Sequence, residues 1–359
     1  GYRTGLLSGN GNVTPWRGMD RGFDVAASGV LWKSSSGVKA GYNNNAEKVH
    51  RAALNWMANR QPDENLFLHL QTIHPHNPYA PPEPFLSRYT ADIPSEIDGK
   101  TRTLLDIKRQ QRDVTEADEE RLRGLYAGGT AYNDAYLQEF LDAVLERYPP
   151  EEVLFILTSD HGEELFEHGG VLHGYTLYDE MLGIPLVVWW PGTVSPNEIG
   201  IHTDTLDLYA SLASLATQGE PISGGGRPLW PYLTGAVGPN AHDREVIFAS
   251  ASAVRGGIFM ARSPRYKLIL APRGGSRGAD SWGMGQGRGR NYEAEYLFDL
   301  VNDPDEMTNN AGEDIPEADW LRARLVAWIE AGKAIEAGAA LDEMDEDARE
   351  SLRALGYLQ

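Results

Sequence analysis

The segment at residues 153–191 constrains the fold of this chain more than any other stretch of its sequence. It reads VLFILTSDHGEELFEHGGVLHGYTLYDEMLGIPLVVWWP. The apolar run at 153–157 predicts a fully buried strand, and residues 185–190 predict a second strand. A short glycine-rich loop connects the two. In open α/β sheets, ligands bind at the carboxyl ends of strands, so the sequence predicts a site in this loop.

The loop contains four side chains suited to metal binding or acid–base chemistry: Asp160, His161, His168 and His173. Asp160 and His161 directly follow the first strand, and an adjacent Asp and His are able to form half of a divalent-metal site. Each residue also has an ordinary structural interpretation. Asp160 is placed to cap a helix through residues 163–164, and a single histidine is usually a hydrogen-bonded structural residue. Four such side chains in one unit favour the functional interpretation.

A second pair of histidines, His74 and His76, follows a strand predicted at residues 66–72. The prolines of residues 73–79 disfavour both helix and β-ladder there. If this strand neighbours the strand at 153–157, both histidines converge on Asp160, His161 and His173 at one crevice. The alternative interpretation is a proline-stiffened surface loop.

Alternating helices and apolar strands predict an α/β fold with a mostly parallel sheet flanked by helices. Helical patterns occur at 46–60, at 137–145 and at 205–215, the last with Asp204 or Thr205 as its cap and Gly219 beyond its end. After about residue 238, four short strands follow without intervening helices, which predicts an antiparallel meander. They are expected at 246–249, 258–261, 266–270 and 296–300.

These patterns predict two domains, an α/β domain at residues 1–240 and a smaller C-terminal α+β subdomain at residues 241–359. The tail from Trp320 has the pattern of an acidic helix. The glycine-rich segment 273–291 predicts a surface loop, with substrate contact by its arginines as the alternative.

The net charge of −20 argues against nucleic acid as a partner, because phosphate binding needs a basic face. A small anionic substrate remains compatible with it, since a bound metal ion inverts the local field. The chain has no cysteine, which excludes disulfides and thiolate metal sites. No apolar run approaches the roughly 18 residues of a membrane helix, so no membrane span is expected in this portion.

Several segments, in their order along the chain, resemble the sulfatases of the alkaline phosphatase superfamily. They are GYRTGLLSGNGNV…RGFD at 1–24, LHLQTIHPHNPYAPP at 68–82, LYAGGTAYNDAYLQEFLDAVL at 125–145, SDHGEELFEHG…HGYTLYDEMLGIPLVVWWPG at 159–192 and YLFDLVNDPDEMTNNAG at 296–312. The resemblance covers essentially the whole chain. It implies an alkaline-phosphatase-like fold.

The resemblance also implies roles for individual residues. Asp160 and His161 match the later pair of metal ligands, His76 matches the histidine that contacts sulfate, and His173 matches the residue that holds sulfate or protonates the leaving oxygen. His76 and His173 are therefore the candidate catalytic and substrate-binding residues. Lys267 matches a recurrent motif that we interpret as structural. Ca²⁺ is the expected ion, with Mg²⁺ as an alternative, because Asp160 is a hard oxygen ligand. His161 keeps Mn²⁺ and Zn²⁺ as further alternatives.

The chain departs from the family pattern at its nucleophile. Sulfatases carry two adjacent aspartate ligands and a C/S-x-P-S-R-type motif that yields formylglycine, and neither is present in this sequence. Gly1 and Tyr2 match a point downstream of both. We therefore expect an N-terminally truncated sulfatase that is inactive as given. His74 also stands where relatives often have Asp.

The function expected from these residues is metal-dependent hydrolysis of a small-molecule or carbohydrate sulfate ester. A phosphodiesterase or phosphonate monoester hydrolase of the same superfamily is the first alternative, favoured if His74, His76 and His173 bind a second metal. A non-catalytic family member is the second, favoured by the missing nucleophile. The resemblance favours a periplasmic or extracellular location.

Overall fold

The computed structural model describes residues 1–10, 13, 18–28, 46–59, 61, 64–219, 225–241, 244–251, 257–271 and 295–336, with side chains described as far as residue 332. The chain divides into two compact units. The first comprises Gly1–Ile107 and Gln111–Glu152, and the second comprises Lys108–Gln110 and Val153–Gln359.

The first unit is built on a parallel three-stranded sheet with the strand order β2–β1–β3. Its strands are β1 (Tyr2–Ser8), β2 (Val25–Ser28) and β3 (Asn65–Gln71). The helix predicted at residues 46–60 is confirmed as α1 (Ala46–Ala58), whose apolar face contacts β1 and β3. At Gly5 a Cβ atom would lie 2.8 Å from the ring of Trp56, so the missing side chain lets the helix pack closely on the strand.

Three further helices follow in the chain: α2 (Phe85–Thr90), α3 (Thr101–Lys108) and α4 (Glu116–Leu145). The helix predicted at residues 137–145 is the last part of α4, which begins much earlier. Thr115 caps it with Asp118 in a reciprocal capping box. At Gly124 a Cβ atom would lie 2.5 Å from the carbonyl oxygen of Tyr89, so the glycine allows α2 to pack directly against α4.

In the second unit, β4 (Phe155–Thr158) pairs with β7 (Leu186–Trp189) in antiparallel register. The strand at residues 153–157 was expected to be fully buried, and this is wrong. Residues 155–157 are half-buried, because β4 pairs with β7 alone among the described strands. A helix capped by Asp160 is also absent from the described residues. The loop instead forms a hairpin of β5 (Glu164–Leu165) and β6 (Val171–Leu172).

The remaining helices of this unit are α5 (Asp179–Leu182), α6 (Thr205–Ala216), α7 (Trp230–Leu233) and α8 (Pro316–Glu336). The predicted cap of α6 is confirmed, because the Asp204 carboxylate accepts hydrogen bonds from the backbone N–H groups of Leu206 and Asp207. Gly219, beyond the end of the helix, has a φ of 91°, which favours glycine.

The predicted antiparallel meander is confirmed as a four-stranded sheet with the order β11–β10–β9–β8. Its strands are β8 (Ile247–Ala251), β9 (Ile258–Arg262), β10 (Tyr266–Leu270) and β11 (Glu295–Asp299). Leu268 and Leu297 on the sheet pack with Leu321 and Leu325 of α8, all fully buried. The boundary expected at residues 240/241 stays a prediction. The segment 273–291 lies outside the described residues.

Across the described residues, every helix is too short or too polar to cross a bilayer.

A buried ammonium group stabilises the second unit. The side chain of Lys267 on β10 is fully buried, and its Nζ lies 2.9 Å from Asp179 Oδ1 and 2.8 Å from Glu306 Oε1. Burial alone would raise the pKa of Asp179, but the cations of Lys267 and Arg262 hold it below its ordinary value. Burial raises the pKa of Glu306, and Lys267 opposes that rise. Lys267 therefore joins the sheet to α5 and to the segment after β11.

We predict that Lys267→Met lowers the free energy of unfolding by about 3–5 kcal/mol, because it leaves the buried Glu306 carboxylate without its cation. Urea unfolding measures the change. Arg265→Met is the matched control, since its ion pair with Asp299 is half exposed at the arginine, with 51% of that side chain accessible. It should change stability far less than Lys267→Met, because solvent screens an exposed ion pair. Equal losses in both variants would contradict the role assigned to Lys267.

Candidate functional site

Asp160 and His161 lie at the carboxyl end of β4, as the sequence predicted. The His161 ring donates its Nδ1–H to the carbonyl oxygen of Gly162 at 2.8 Å, so in the neutral ring the lone pair is on Nε2. That nitrogen lies 3.8 Å from Asp160 Oδ1. The Asp160 side chain is 66% exposed, so its carboxylate oxygens are accessible. A backbone carbonyl that fixes the far nitrogen of a histidine is the usual support of a metal ligand.

The two side chains fit one divalent cation. Metal–ligand bonds of about 2.0–2.6 Å allow two ligand atoms of one ion to be up to roughly 4–5 Å apart, and the 3.8 Å separation lies within that limit. Within the described ranges, three or more His, Asp or Glu side chains do not gather into a metal-binding group. Among the described residues, Asp160 and His161 therefore offer two candidate ligands for such a cation.

His173 lies directly beside this pair. Its ring stacks on the His161 ring with centroids 4.1 Å apart and an interplanar angle of 29°. Its Nδ1 lies 3.1 and 3.2 Å from the two carboxylate oxygens of Glu163, a side chain that is 4% exposed. The structure thus brings together Asp160, His161 and His173, and it adds Glu163, whose role the sequence pattern did not indicate.

His168, which the sequence grouped with these residues, has a different environment. Its Nδ1 lies 2.8 Å from Glu180 Oε1, and its Nε2 lies 3.2 Å from the carbonyl oxygen of Glu306. Its ring is stacked parallel on Tyr178 at 3.7 Å. Both ring nitrogens are engaged, so the geometry assigns His168 a structural role.

Lys108, the last residue of α3, is an ionisable group that the sequence analysis missed. Its Nζ is buried and has no hydrogen-bond partner among the described residues, and its ammonium lies over the ring of Tyr175. Burial lowers the pKa of Lys108 to about 7, although the nearby Glu164 and Glu163 oppose that shift. A lysine at a helix C-terminus is normally solvent-exposed and favoured by the helix dipole, so the sequence carried no signal of this burial.

His74 and His76 belong to the first unit. The His76 N–H donates to the carbonyl oxygen of Ile73 at 2.8 Å, and its Nδ1 lies 2.7 Å from the carbonyl oxygen of Asn77. The His74 ring packs edge-on against Tyr132, and burial lowers its pKa to about 4. Strand β3 pairs with β1, whereas β4 pairs with β7, so the two strands lie in different sheets. Convergence of these histidines with Asp160, His161 and His173 stays a prediction.

Comparison with known sequences identifies one family. A family model described as "Sulfatase" matches residues 1–218. The chain is 22% identical over 307 residues to an arylsulfatase of Clostridium perfringens, covering 81% of this chain and 59% of that protein. It is 26% identical over 204 residues to arylsulfatase K of Canis lupus familiaris, covering 55% of this chain and 35% of that protein. The chain therefore spans about one third to three fifths of the length of these relatives.

Solved structures share the fold. A protein solved in complex with its substrate D-glucosamine-2-N,6-O-disulfate superposes with a TM-score of 0.68 at 16% identity, covering 96% of this chain and 82% of that chain. A phosphonate monoester hydrolase of Agrobacterium radiobacter superposes with a TM-score of 0.63 at 18% identity, covering 94% and 78%. These likenesses confirm the expected alkaline-phosphatase-like α/β fold.

We predict that stability rises with pH between about 7 and 10.4 in part because of Lys108. Its folded-state pKa of about 7 lies below the ordinary value for lysine, so the unfolded chain binds the extra proton in this window. Lys108→Met should flatten the rise, as measured by urea midpoints at several pH values. Lys100→Met is the control, because the Lys100 side chain is 76% exposed, and it should leave the slope unchanged. An unchanged slope in Lys108→Met would contradict the prediction.

Proposed function

This chain belongs to the sulfatase family, and we propose on that basis that the protein hydrolyses sulfate esters with the help of a divalent cation. The observation that carries the proposal is the cluster of Asp160, His161 and His173 at the end of β4. Two metal-ligand candidates 3.8 Å apart lie beside a histidine whose ring stacks on one of them. Such a cluster places candidate ligands for a cation beside a histidine that is able to donate a hydrogen bond to an anionic group.

Asp160 Oδ and His161 Nε2 would hold the cation. Family members are generally metal-dependent, and the ion would neutralise negative charge on the sulfate ester when bound. We propose Ca²⁺ because of the hard carboxylate ligand, which also suits Mg²⁺. The nitrogen ligand leaves Mn²⁺ and Zn²⁺ as alternatives. The backbone carbonyl of Gly162 orients the His161 ring for this role, because it accepts the proton of Nδ1.

His173 would serve the ester group. Its ring is held at Nδ1 by Glu163 and lies against His161, so it has a fixed position next to the cation ligands. A histidine there is able to donate a hydrogen bond to sulfate oxygens or to protonate the leaving alcohol. His76 is proposed for sulfate contact on the strength of the family resemblance. Its backbone N–H bond to Ile73 orders the turn that carries it.

The substrate class is proposed as a small-molecule or carbohydrate sulfate ester. Proteins named arylsulfatase and choline-sulfatase are among the relatives, and D-glucosamine-2-N,6-O-disulfate is the substrate in one related structure. The alcohols differ widely among these proteins, so the shared feature is the sulfate group. Turnover of 4-nitrocatechol sulfate, choline sulfate and glucosamine 6-sulfate by the full-length protein containing this chain tests the proposal.

The structural likeness to phosphonate monoester hydrolases favours one second candidate. The same cation and histidines suit a phosphonate or phosphodiester, because both carry negative oxygens around a tetrahedral centre. A phosphonate monoester assayed beside the sulfate esters decides between the two functions. Higher kcat/KM for the phosphonate would overturn the sulfatase proposal.

We predict that Asp160→Asn and His161→Ala each weaken binding of the metal by roughly 10-fold or more, since each removes or weakens a ligand. Elemental analysis after dialysis and calorimetric titration with Ca²⁺ and Mn²⁺ measure the change. Asp305→Asn, an exposed carboxylate of the same unit, is the control and should bind normally. Full metal content in the Asp160→Asn/His161→Ala double variant would contradict the assignment.

We predict that His173→Ala and His76→Ala each reduce turnover of the cognate ester by roughly 10²-fold or more, as expected for lost acid or electrostatic catalysis. Stability should fall by about 1 kcal/mol or less for His76→Ala. It should fall by roughly 1–3 kcal/mol for His173→Ala, which leaves the buried Glu163 carboxylate without its partner. Thermal unfolding and steady-state kinetics separate the two effects. A lower melting temperature with normal turnover would make these histidines structural.

A further inference from the structure

Glu163 is a carboxylate with almost no access to solvent in the middle of a surface loop, at 4% side-chain exposure. Its backbone is fixed against α5, because its N–H donates to the carbonyl oxygen of Glu180 at 3.0 Å. The preceding Gly162 N–H donates to the carbonyl oxygen of Met181 at 2.8 Å. At Gly162 a Cβ atom would lie 2.0 Å from the Glu180 carbonyl oxygen, so only glycine fits. A buried carboxylate is costly unless it is paired, and the pairing is specific here.

Both carboxylate oxygens of Glu163 face one atom, the Nδ1 of His173, at 3.1 and 3.2 Å. An ionised carboxylate is only an acceptor. The proton of a neutral His173 is therefore on Nδ1, and its lone pair is on Nε2.

We propose that Glu163 is a positioning residue for His173. By accepting the Nδ1 proton, Glu163 holds the ring against His161 and sets the tautomer that presents Nε2 to the sulfate ester. The inference rests on the proposed function, because it takes His173 as the residue that serves the substrate. Carboxylates that orient a histidine in this way are common in metal sites and in catalytic triads. In a catalytic triad, the wrong histidine tautomer strongly lowers kcat.

A second carboxylate–histidine pair, between Glu180 of α5 and His168 of the loop, offers an internal comparison. Glu180 faces Nδ1 of His168 at 2.8 Å, which is the same type of pair. The Nε2 of His168, however, is engaged by the carbonyl oxygen of Glu306, and its ring is covered by Tyr178. The Glu180–His168 pair therefore links α5 to the segment after β11. In the Glu163–His173 pair, the His173 ring instead stacks on the ring of His161, which is a proposed metal ligand.

The test combines a spectroscopic and a kinetic measurement on the full-length protein containing this chain. The ¹⁵N spectrum of the imidazoles at pH 9 reports which nitrogen of His173 carries the proton, and His173→Ala identifies its signals among those of the other histidines. We expect the Nδ1–H tautomer in the native protein. We expect Glu163→Gln, which retains the size of the side chain but offers an amide, to shift His173 toward the Nε2–H tautomer and to lower kcat by roughly 10²-fold or more.

Two further variants complete the design. Glu163→Asp keeps a carboxylate acceptor and should retain more of the Nδ1–H tautomer and of kcat than Glu163→Gln. Glu180→Gln is the matched control, since it removes the same type of pair from His168. It should lower the melting temperature without changing the His173 signals or kcat.

Three outcomes overturn the inference. An Nε2–H tautomer in the native protein does so directly, without any activity measurement. Normal kcat in Glu163→Gln, with a large loss in His173→Ala, overturns the positioning role alone and leaves the proposed function standing. Normal kcat in His173→Ala overturns the role of His173 in the proposed function and this inference together.

Discussion

The geometry of the site in the second unit depends on one buried ammonium group, that of Lys267. It binds Asp179, the first residue of α5, and Glu306, which follows β11. Two carbonyl oxygens of α5, from Glu180 and Met181, then accept the N–H groups of Glu163 and Gly162. The position of α5 therefore sets where the loop runs after β4. A cation on the antiparallel sheet is thus linked to the candidate site through Asp179 and the backbone carbonyls of α5.

This hydrogen-bond network contributes mainly by fixing the orientation of α5, rather than by adding to the stability of the fold. A buried ion pair frequently stabilises a fold no more than well-packed apolar residues would, because desolvation offsets the attraction between the charges. Asp179, however, accepts from both Lys267 and Arg262, and its own N–H donates to Glu306 Oε2 at 2.6 Å. These bonds are satisfied together in one arrangement of α5 against the sheet.

The sequence predicted the features that depend on local chemistry. Asp204 caps α6 because a short carboxylate before a helix satisfies its first N–H groups, and the four strands of the meander follow from short β-branched and aromatic runs. Asp160, His161 and His173 were found because they follow a strand in a glycine-rich loop.

The remaining features depend on contacts distant in sequence. The helix considered after Asp160 does not form, because Gly162 lies directly against the Glu180 carbonyl oxygen. The burial of the Lys108 and Glu163 side chains is likewise not indicated by any local sequence pattern.

The charges of the loop indicate how a strongly acidic chain would admit the anionic ester proposed as its substrate. Its carboxylates are mostly occupied by N–H groups. Glu163 accepts from His173, Glu164 accepts from the Gly170 N–H at 2.8 Å, and Glu167 accepts from the backbone N–H of Leu165. The carboxylate of Asp160 is 66% exposed and lies beside His161 Nε2.

A cation at this position would reverse the sign of the field that an approaching sulfate ester meets, while the neighbouring carboxylates hold their own protein partners. The His173 ring, stacked against His161, would then have the ester and the cation on neighbouring sides. Binding of the metal and binding of the anion are therefore expected to be coupled. Each should strengthen the other by the same factor, because coupling between two sites is reciprocal.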